Sequence, residues 1–263
     1  MTPKPYFRST RDQSYSIARR IFDGLLNLVY PDTCLACSDP IVRQQDRGVC
    51  SDCWIKISQL AIRPPVCVSC GLPLQTQEPS STLVCGECTV IPPAYSGARS
   101  FGYYMAELRA LVQCLKFAGK KNLVGLLSPL LAVTFSESWE REEFDFIVPV
   151  PLHPRRMRQR GFNQAGLLAG ALAAHMAIPY SGRELIRLRH TQPQVGLSHA
   201  RRQENVHKAF QCTAKNRIAG KRVLLVDDVM TTGATVASAT QALLEGDALR
   251  VSVITIARTV PGL

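Results

Sequence analysis

Residues 223–235, VLLVDDVMTTGAT, set four apolar residues against two adjacent carboxylates and then a hydroxyl-rich turn containing one glycine. A short apolar run with β-branched residues predicts a buried strand. Asp227 and Asp228 then stand at the carboxyl end of a strand, where open parallel sheets bind ligands. The turn at 230–235 opens a helix, ATVASATQALLEG. Free backbone N–H groups and the positive helix end suit an anion there, Gly233 permits close approach of the backbone, and the threonine hydroxyls add donors. The turn is thus suited to a phosphate monoester. Carboxylates aimed at that phosphate would repel it, so the acid pair serves another part of the ligand. Two acceptor-rich groups one sugar-length away suit a vicinal diol, and they can also hold hydrated Mg²⁺. A 5-phosphorylated ribose meets both demands. Strand-end aspartates and helix-capping threonines are each common as plain structure. Their succession after a buried strand is what points to a ligand. Neither a Walker A lysine nor a G-x-G-x-x-G segment accompanies the turn.

The cysteines suggest a second chemistry. Of ten, eight form four CxxC pairs, Cys34/Cys37, Cys50/Cys53, Cys67/Cys70 and Cys85/Cys88, with spacers of 12, 13 and 14 residues. A CxxC knuckle places two thiolates on one tetrahedral metal, and such spacers suit zinc ribbons. A redox motif would account for one pair, and a disulfide framework would call for an export signal. Two structural Zn²⁺ ions are expected; spacing leaves open whether the pairs combine in sequence or interleave. Cys114 and Cys212 are expected to be free packing thiols.

The elements that must position these groups follow from pattern. Apolar residues Ile17, Ile21, Leu25 and Leu28 predict an amphipathic helix within 14–30. Paired prolines at 64–65 and 92–93 punctuate the cysteine region and place a boundary near residue 95. Beyond it, strands are predicted in SGARSFGYY, FDFIVPV, ELIRLRH, KRVLLVDD and LRVSVITIAR. Helices are predicted over 106–117, in LVGLLSPLLAVTF (kinked or split at Pro129) and in GFNQAGLLAGALAAHMA. Residues 191–210 are predicted to be mostly loop. Such alternation implies an α/β fold with a parallel sheet covered on both faces. Lys116, Lys120 and Lys121 are assigned to a solvated helix end. A formal net charge of +11 favours polyanionic partners without choosing among them. No apolar run approaches the ~20 residues that span a bilayer. The stretch IFDGLLNLVY is broken by Asp23 and Asn27 and precedes no small-residue cleavage site, so no membrane insertion is expected and the expected compartment is the cytoplasm.

VLLVDDVMTTGAT resembles the phosphoribosyl-pyrophosphate (PRPP) motif of type I phosphoribosyltransferases. Together with CLAC, CSDC, CVSCGLPL, CGEC, LKFAGKKNL, VPVPLHPRRMRQRGFNQA and RRQENVHKAF, the chain resembles the ComF family, GntX-like proteins included, from about residue 25 to 258. The resemblance implies an N-terminal tail and helix over 1–30, a double zinc ribbon over 31–94 and a type I phosphoribosyltransferase-like domain over 95–263. It implies that Asp227 and Asp228 contact the ribose hydroxyls while Thr231, Thr232, Gly233, Ala234 and Thr235 cradle the 5-phosphate. Pro149, Val150, Pro151 and Leu152 would receive pyrophosphate with Mg²⁺, and Arg155 and Arg156 would clamp it. His153 stands in the same loop. A loop over 191–202 would close over PRPP, with Arg201 or Arg202 covering the leaving group. Purine-salvage members carry a carboxylate where this chain has Thr231, which argues against a purine acceptor. Two functions are implied: transfer of phosphoribose to a nitrogen acceptor with Mg-pyrophosphate leaving, or a non-catalytic factor that senses PRPP or a nucleotide, or binds single-stranded DNA, in DNA uptake. Arg155 to Arg160 and Arg183 to Arg202 are the candidate DNA contacts. Oligomeric state is not legible.

Overall fold

A computed structural model describes residues 33–41, 48–76, 82–189 and 209–262. The helix expected within 14–30 and the loop expected over 191–202, with Arg201 and Arg202, lie outside the described residues. The chain divides into two compact units, residues 1–54 and 55–263. Helix α1 (Ser51–Gln59) begins within the second cysteine knuckle and carries Cys53, and α2 (Gly86–Val90) begins within the fourth and carries Cys88.

In the larger unit, four parallel strands form one sheet in the order β1-β6-β5-β2: β1 (Gly97–Tyr103), β2 (Phe146–Pro149), β5 (Arg222–Met230) and β6 (Arg250–Arg258). The two central strands are nearly continuous apolar runs, as burial on both faces demands. Val223, Leu225, Val251 and Val253 join Val236, Ala239 and Leu243 of α8 (Ala234–Leu244) in one core cluster. Helices α4 (Val124–Ser136) and α6 (Gln164–Met176) pack on each other; α4 also meets β1 and β6, and α6 meets β2 and β5. A separate antiparallel pair, β3 (Leu185–Arg187) with β4 (Phe210–Cys212), packs on α8. The amino-terminal ends of the central strands are fastened by charge: Arg222 makes a two-pronged contact with Asp145 at 3.1 and 3.2 Å, and Arg250 meets Glu143 at 2.7 Å.

Several expectations are corrected. LVGLLSPLLAVTF is not split: a 3₁₀ turn at Lys121–Leu123 leads into one helix that runs through Pro129. Pro129 is the sixth residue of this helix, so the helix forgoes one intrahelical N–H bond there and continues around it. PRRMRQR is helical, as α5 (Pro154–Arg160), with Pro154 in the first turn where its fixed φ is preorganised. β4 begins inside the segment predicted to be loop, and a short helix α7 (Lys215–Ile218) follows it. β5 continues two residues past the acid pair, to Met230. The helix α3 (Ala106–Phe117) has the predicted limits.

Candidate phosphoribosyl cleft and metal centres

The cysteines combine in sequence order. The sulfurs of Cys34, Cys37, Cys50 and Cys53 all lie within 4.8 Å of one another, and so do those of Cys67, Cys70, Cys85 and Cys88. A tetrahedral zinc at ~2.3 Å from each sulfur sets sulfurs about 3.8 Å apart. Cys37–Cys50 at 3.8 Å and Cys70–Cys85 at 3.7 Å match this spacing. Both sets are preorganised by the backbone: Cys50 N–H points at the Cys34 sulfur and Cys85 N–H at the Cys67 sulfur, each at 3.3 Å. Burial raises the Cys67 thiol, yet N–H donors of Cys70, Cys85 and Ser69 bring it down to about 7. Cys34 behaves alike, at about 7, with Cys37, Cys50 and Ala36 as donors. Two Cys₄ sites of this form support structural zinc. Cys212 is buried and Cys114 half-buried, and among the described residues neither joins a group of metal-ligating side chains.

A cleft of about 790 Å³ opens beyond the carboxyl ends of β2 and β5 and is lined by Asp227, Asp228, Val150, Pro151, Leu152, Arg156, Arg187, Thr231, Gly233 and Thr235. Asp227 and Asp228 are 8% and 3% exposed. Asp227 accepts the N–H of Asp228 at 2.8 Å, while Asp228 Oδ1 receives the Lys116 ammonium at 2.9 Å. The other oxygen, Asp228 Oδ2, is buried without a hydrogen-bond partner. Burial, reinforced by the charge of Asp228, pushes Asp227 up to about 7. Burial is the largest single influence on Lys116 and would lower it; the charge and hydrogen bond of Asp228, with Asp227 and Tyr104, together outweigh it and hold the ammonium protonated above its ordinary range. The site thus stores a carboxylate oxygen waiting for a donor, which a ribose hydroxyl or a metal-bound water can supply.

Helix α8 starts beside the acids. Its N-cap, Gly233, sits at φ 77°, a left-handed conformation that favours glycine, and has no side chain with which to cap the helix. Among the described residues, the N–H groups of Thr232, Gly233 and Val236 donate to no protein carbonyl. Ala234 N–H makes only a 3.5 Å contact to its own turn's Thr232 hydroxyl. An uncapped helix start with outward N–H groups is an anion site.

The remaining expected residues separate by position. Pro149 is buried as the last residue of β2, pairing with Val226, and the cleft wall begins at Val150. Arg156 is half-buried in the cleft, whereas Arg155 is exposed and lies outside its lining. His153 caps α5 by accepting the Arg155 N–H at 3.2 Å. Thr232 and Ala234 face a second cavity behind the turn, and Thr231 and Gly233 line both. Sequence reasoning missed three basic residues of this cleft, Arg109, Lys116 and Arg187. Lys116 is only 19% exposed at its side chain and pairs with Asp228, so the solvated reading fails for it. Its position seven residues after Arg109 and three after Gln113, all on the cleft side of α3, was the available signal.

The chain matches the double zinc ribbon domain family over residues 25–89 and the phosphoribosyl transferase domain family over residues 163–260. It is 35% identical to DNA utilization protein YhgH of Salmonella typhimurium over 235 residues, covering 88% of this chain and 99% of that protein. It is 34% identical to Competence protein F of Haemophilus influenzae, covering 72% and 80%. With Competence protein ComFC of Bacillus subtilis it shares 30% identity, covering 81% and 85%. The chain belongs to the ComF family. Its phosphoribosyltransferase fold is the parallel sheet flanked by helices, and its double zinc ribbon is the pair of Cys₄ sites. No helix among the described residues of this ComF protein is long and apolar enough to cross a membrane.

Proposed function

We propose that this ComF protein binds PRPP, or a related phosphorylated ribose, with Mg²⁺, and transfers the phosphoribosyl group to a nitrogen acceptor as magnesium pyrophosphate leaves. The carrying observation is the buried Asp228 carboxylate, with Oδ2 unpaired, beside the uncapped start of α8. In this reading Asp227 and Asp228 hold the ribose hydroxyls and the metal's waters. Residues 231–235 hold the 5-phosphate, and residues 150–152 with Arg156 meet the pyrophosphate. Arg201 and Arg202 would complete it. Mg²⁺ and guanidinium groups would stabilise charge growing on the leaving group. The catalytic domain occupies residues 95–263, after a double ribbon over 31–94, and the protein works in the cytoplasm. Calorimetric titration of PRPP and Mg²⁺ tests the site. The parent should bind, and Asp228→Asn should bind at least tenfold more weakly; equal heats in the two proteins would remove the proposal.

A second reading, a factor that handles single-stranded DNA during its uptake or use, accords with the relatives named for DNA utilization and competence. One observation favours it. Three aromatic rings that line the cleft each lie under a cation: Phe117 under Arg160 at 5.4 Å, Phe162 under Lys121 at 5.1 Å and Tyr104 under Arg109 at 5.9 Å. Phe117 is 77% exposed, which an isolated core ring would not be. Bases stack on such rings while cations track the phosphates. Binding of a single-stranded oligonucleotide should weaken steeply with salt and fall several-fold in Phe117→Ala; salt-independent affinity speaks against it.

A further inference from the structure

We infer that Lys116 decides what the acid pair can bind: its ammonium keeps a divalent cation off Asp228 and leaves the pair as a receptor for hydroxyl groups. This rests on the phosphoribosyl reading above and adds a specificity-determining residue to it. Two neighbouring buried carboxylates would otherwise be a natural seat for a metal, since hard cations seek carboxylate oxygens. A metal seated there first would occupy the acceptors that the sugar's hydroxyls need.

The fold brings the lysine to the acids. Leu108, Leu111, Val112 and Leu115 form the buried face of α3, and Lys116 stands at the edge of that face in the last turn. The carbonyl end of a helix favours a cation there. Its Nζ lies 2.9 Å from Asp228 Oδ1, the side chain is mostly buried, and it lines the same cleft as both acids. This ion pair commits Oδ1, just as the Asp228 N–H commits one oxygen of Asp227 at 2.8 Å. Oδ2 of Asp228 remains, buried and without a partner. One oxygen of each carboxylate is thus tied to the protein, and one on each is left to serve a hydroxyl. A vicinal diol asks for that number.

Charge separates the hydroxyl from the cation. Mg²⁺ bound directly to Asp228 would stand ~2.1 Å from its oxygen. That is a few ångströms from an ammonium already paired with the same group, and like charges so close repel strongly where water is scarce. A hydroxyl donates to Oδ2 without bringing charge, and the lysine need not move. A hydrated metal can still approach through its waters, with inner ligands supplied by the phosphorylated sugar. The cleft's other cations turn toward rings: Arg109 to Tyr104 at 5.9 Å, Arg160 to Phe117 at 5.4 Å and Arg187 to Phe210 at 5.2 Å. The charges of Arg160 and Arg187 also act on Asp228 and Asp227 respectively. Both arginines persist in every variant below, so differences within the series report Lys116.

The test uses the full-length zinc-loaded protein at mildly alkaline pH, with Mn²⁺ as a paramagnetic probe in place of Mg²⁺. Mn²⁺ prefers oxygen ligands, and zinc content is checked after each titration. The parent without sugar should hold no Mn²⁺ at the acids. Lys116→Met and Lys116→Gln should each bind one ion at least tenfold more tightly than the parent, read from the electron paramagnetic resonance of free Mn²⁺. Their melting temperatures should rise on adding Mn²⁺, and the parent's should not. The glutamine keeps a donor for Oδ1 and removes only the charge, so it carries the test should the methionine variant fail to fold. Lys116→Arg, which keeps the charge, should exclude the ion, and Asp228→Asn added to Lys116→Gln should abolish binding again. The inference is overturned if the parent binds Mn²⁺ that Asp228→Asn removes, or if folded Lys116→Gln binds Mn²⁺ no better than the parent. Ribose 5-phosphate titrated into the parent reports separately on the reading beneath: absence of heat there overturns the phosphoribosyl site, whatever the Mn²⁺ series shows.

Discussion

The two zinc ribbons have the same internal construction and different surroundings. Thr33 bridges Pro40 in the first and Val66 bridges Pro73 in the second; Cys34 N–H donates to Asp39 and Cys67 N–H to Leu72, each at 2.8 Å. The residue after each knuckle, Ser38 or Gly71, adopts a positive φ of 67° or 70°. Yet all four cysteines of the second site are buried, whereas Cys37 of the first is exposed. Arg99 and Arg258, from β1 and β6, donate into the backbone of the second knuckle. The second repeat is therefore part of the sheet domain's packing. The same four-sulfur chemistry at each site carries different structural consequences because of what lies against the sulfurs.

Losing a metal ligand should break this comparison open most widely. Cys67→Ser should cost the larger unit several kcal/mol, since zinc-binding free energy is folding free energy, and the main melting transition should drop or vanish. Cys34→Ser should lose one zinc equivalent and leave that transition in place. Zinc content read beside differential scanning calorimetry checks both, and equal shifts would contradict the asymmetry. Next in size is Lys116→Met. It leaves the Asp228 carboxylate buried without its cation, a loss of roughly 3–5 kcal/mol, and Asn at position 228 in the same chain should recover much of it. Gly71→Ala should cost about 2–4 kcal/mol through a backbone collision and an unfavourable φ. Ser38→Gly, at the matching place in the first ribbon, should shift stability by no more than about 1 kcal/mol in chemical denaturation. The smallest effect lies far from either ribbon. The Arg222 side chain, with its N–H, holds Asp145 below the usual carboxylate range. A depressed folded pKa adds stability above the unfolded value of about 4, and that stability is lost as pH falls through the folded value. Arg222→Met should lower stability modestly at neutral pH and flatten its fall on acidification, the two proteins converging at pH values below the folded Asp145 value.

Legibility in the sequence followed the strength of local pattern. β5 and β6 were readable because burial on both faces makes them apolar throughout, and α3 because its apolar spacing is helical. The phosphate turn was readable because acid pair, glycine and threonines lie within nine residues of one another along the chain. α5 was not, because PRRMRQR has a single apolar residue and shows no periodicity. β4, three residues long, pairs only with β3 and offers too short a run to alternate. The order in which cysteine pairs combine was hidden by nearly equal spacers. Lys116 was missed because a lysine near a helix end is ordinarily solvated; only the tertiary placement of α3 brings it to Asp228.

The diol reading is tested most directly by comparing ribose 5-phosphate with 2-deoxyribose 5-phosphate in calorimetric titration at fixed Mg²⁺. Both share the phosphate, so the turn should hold either one. Removal of a single hydroxyl should cost about 1.5–3 kcal/mol, the worth of a hydrogen bond to a charged group, which is at least a tenfold loss of affinity. Equal affinities, or a deoxy sugar that binds more tightly, would contradict the assignment of the buried acids to the sugar's hydroxyls.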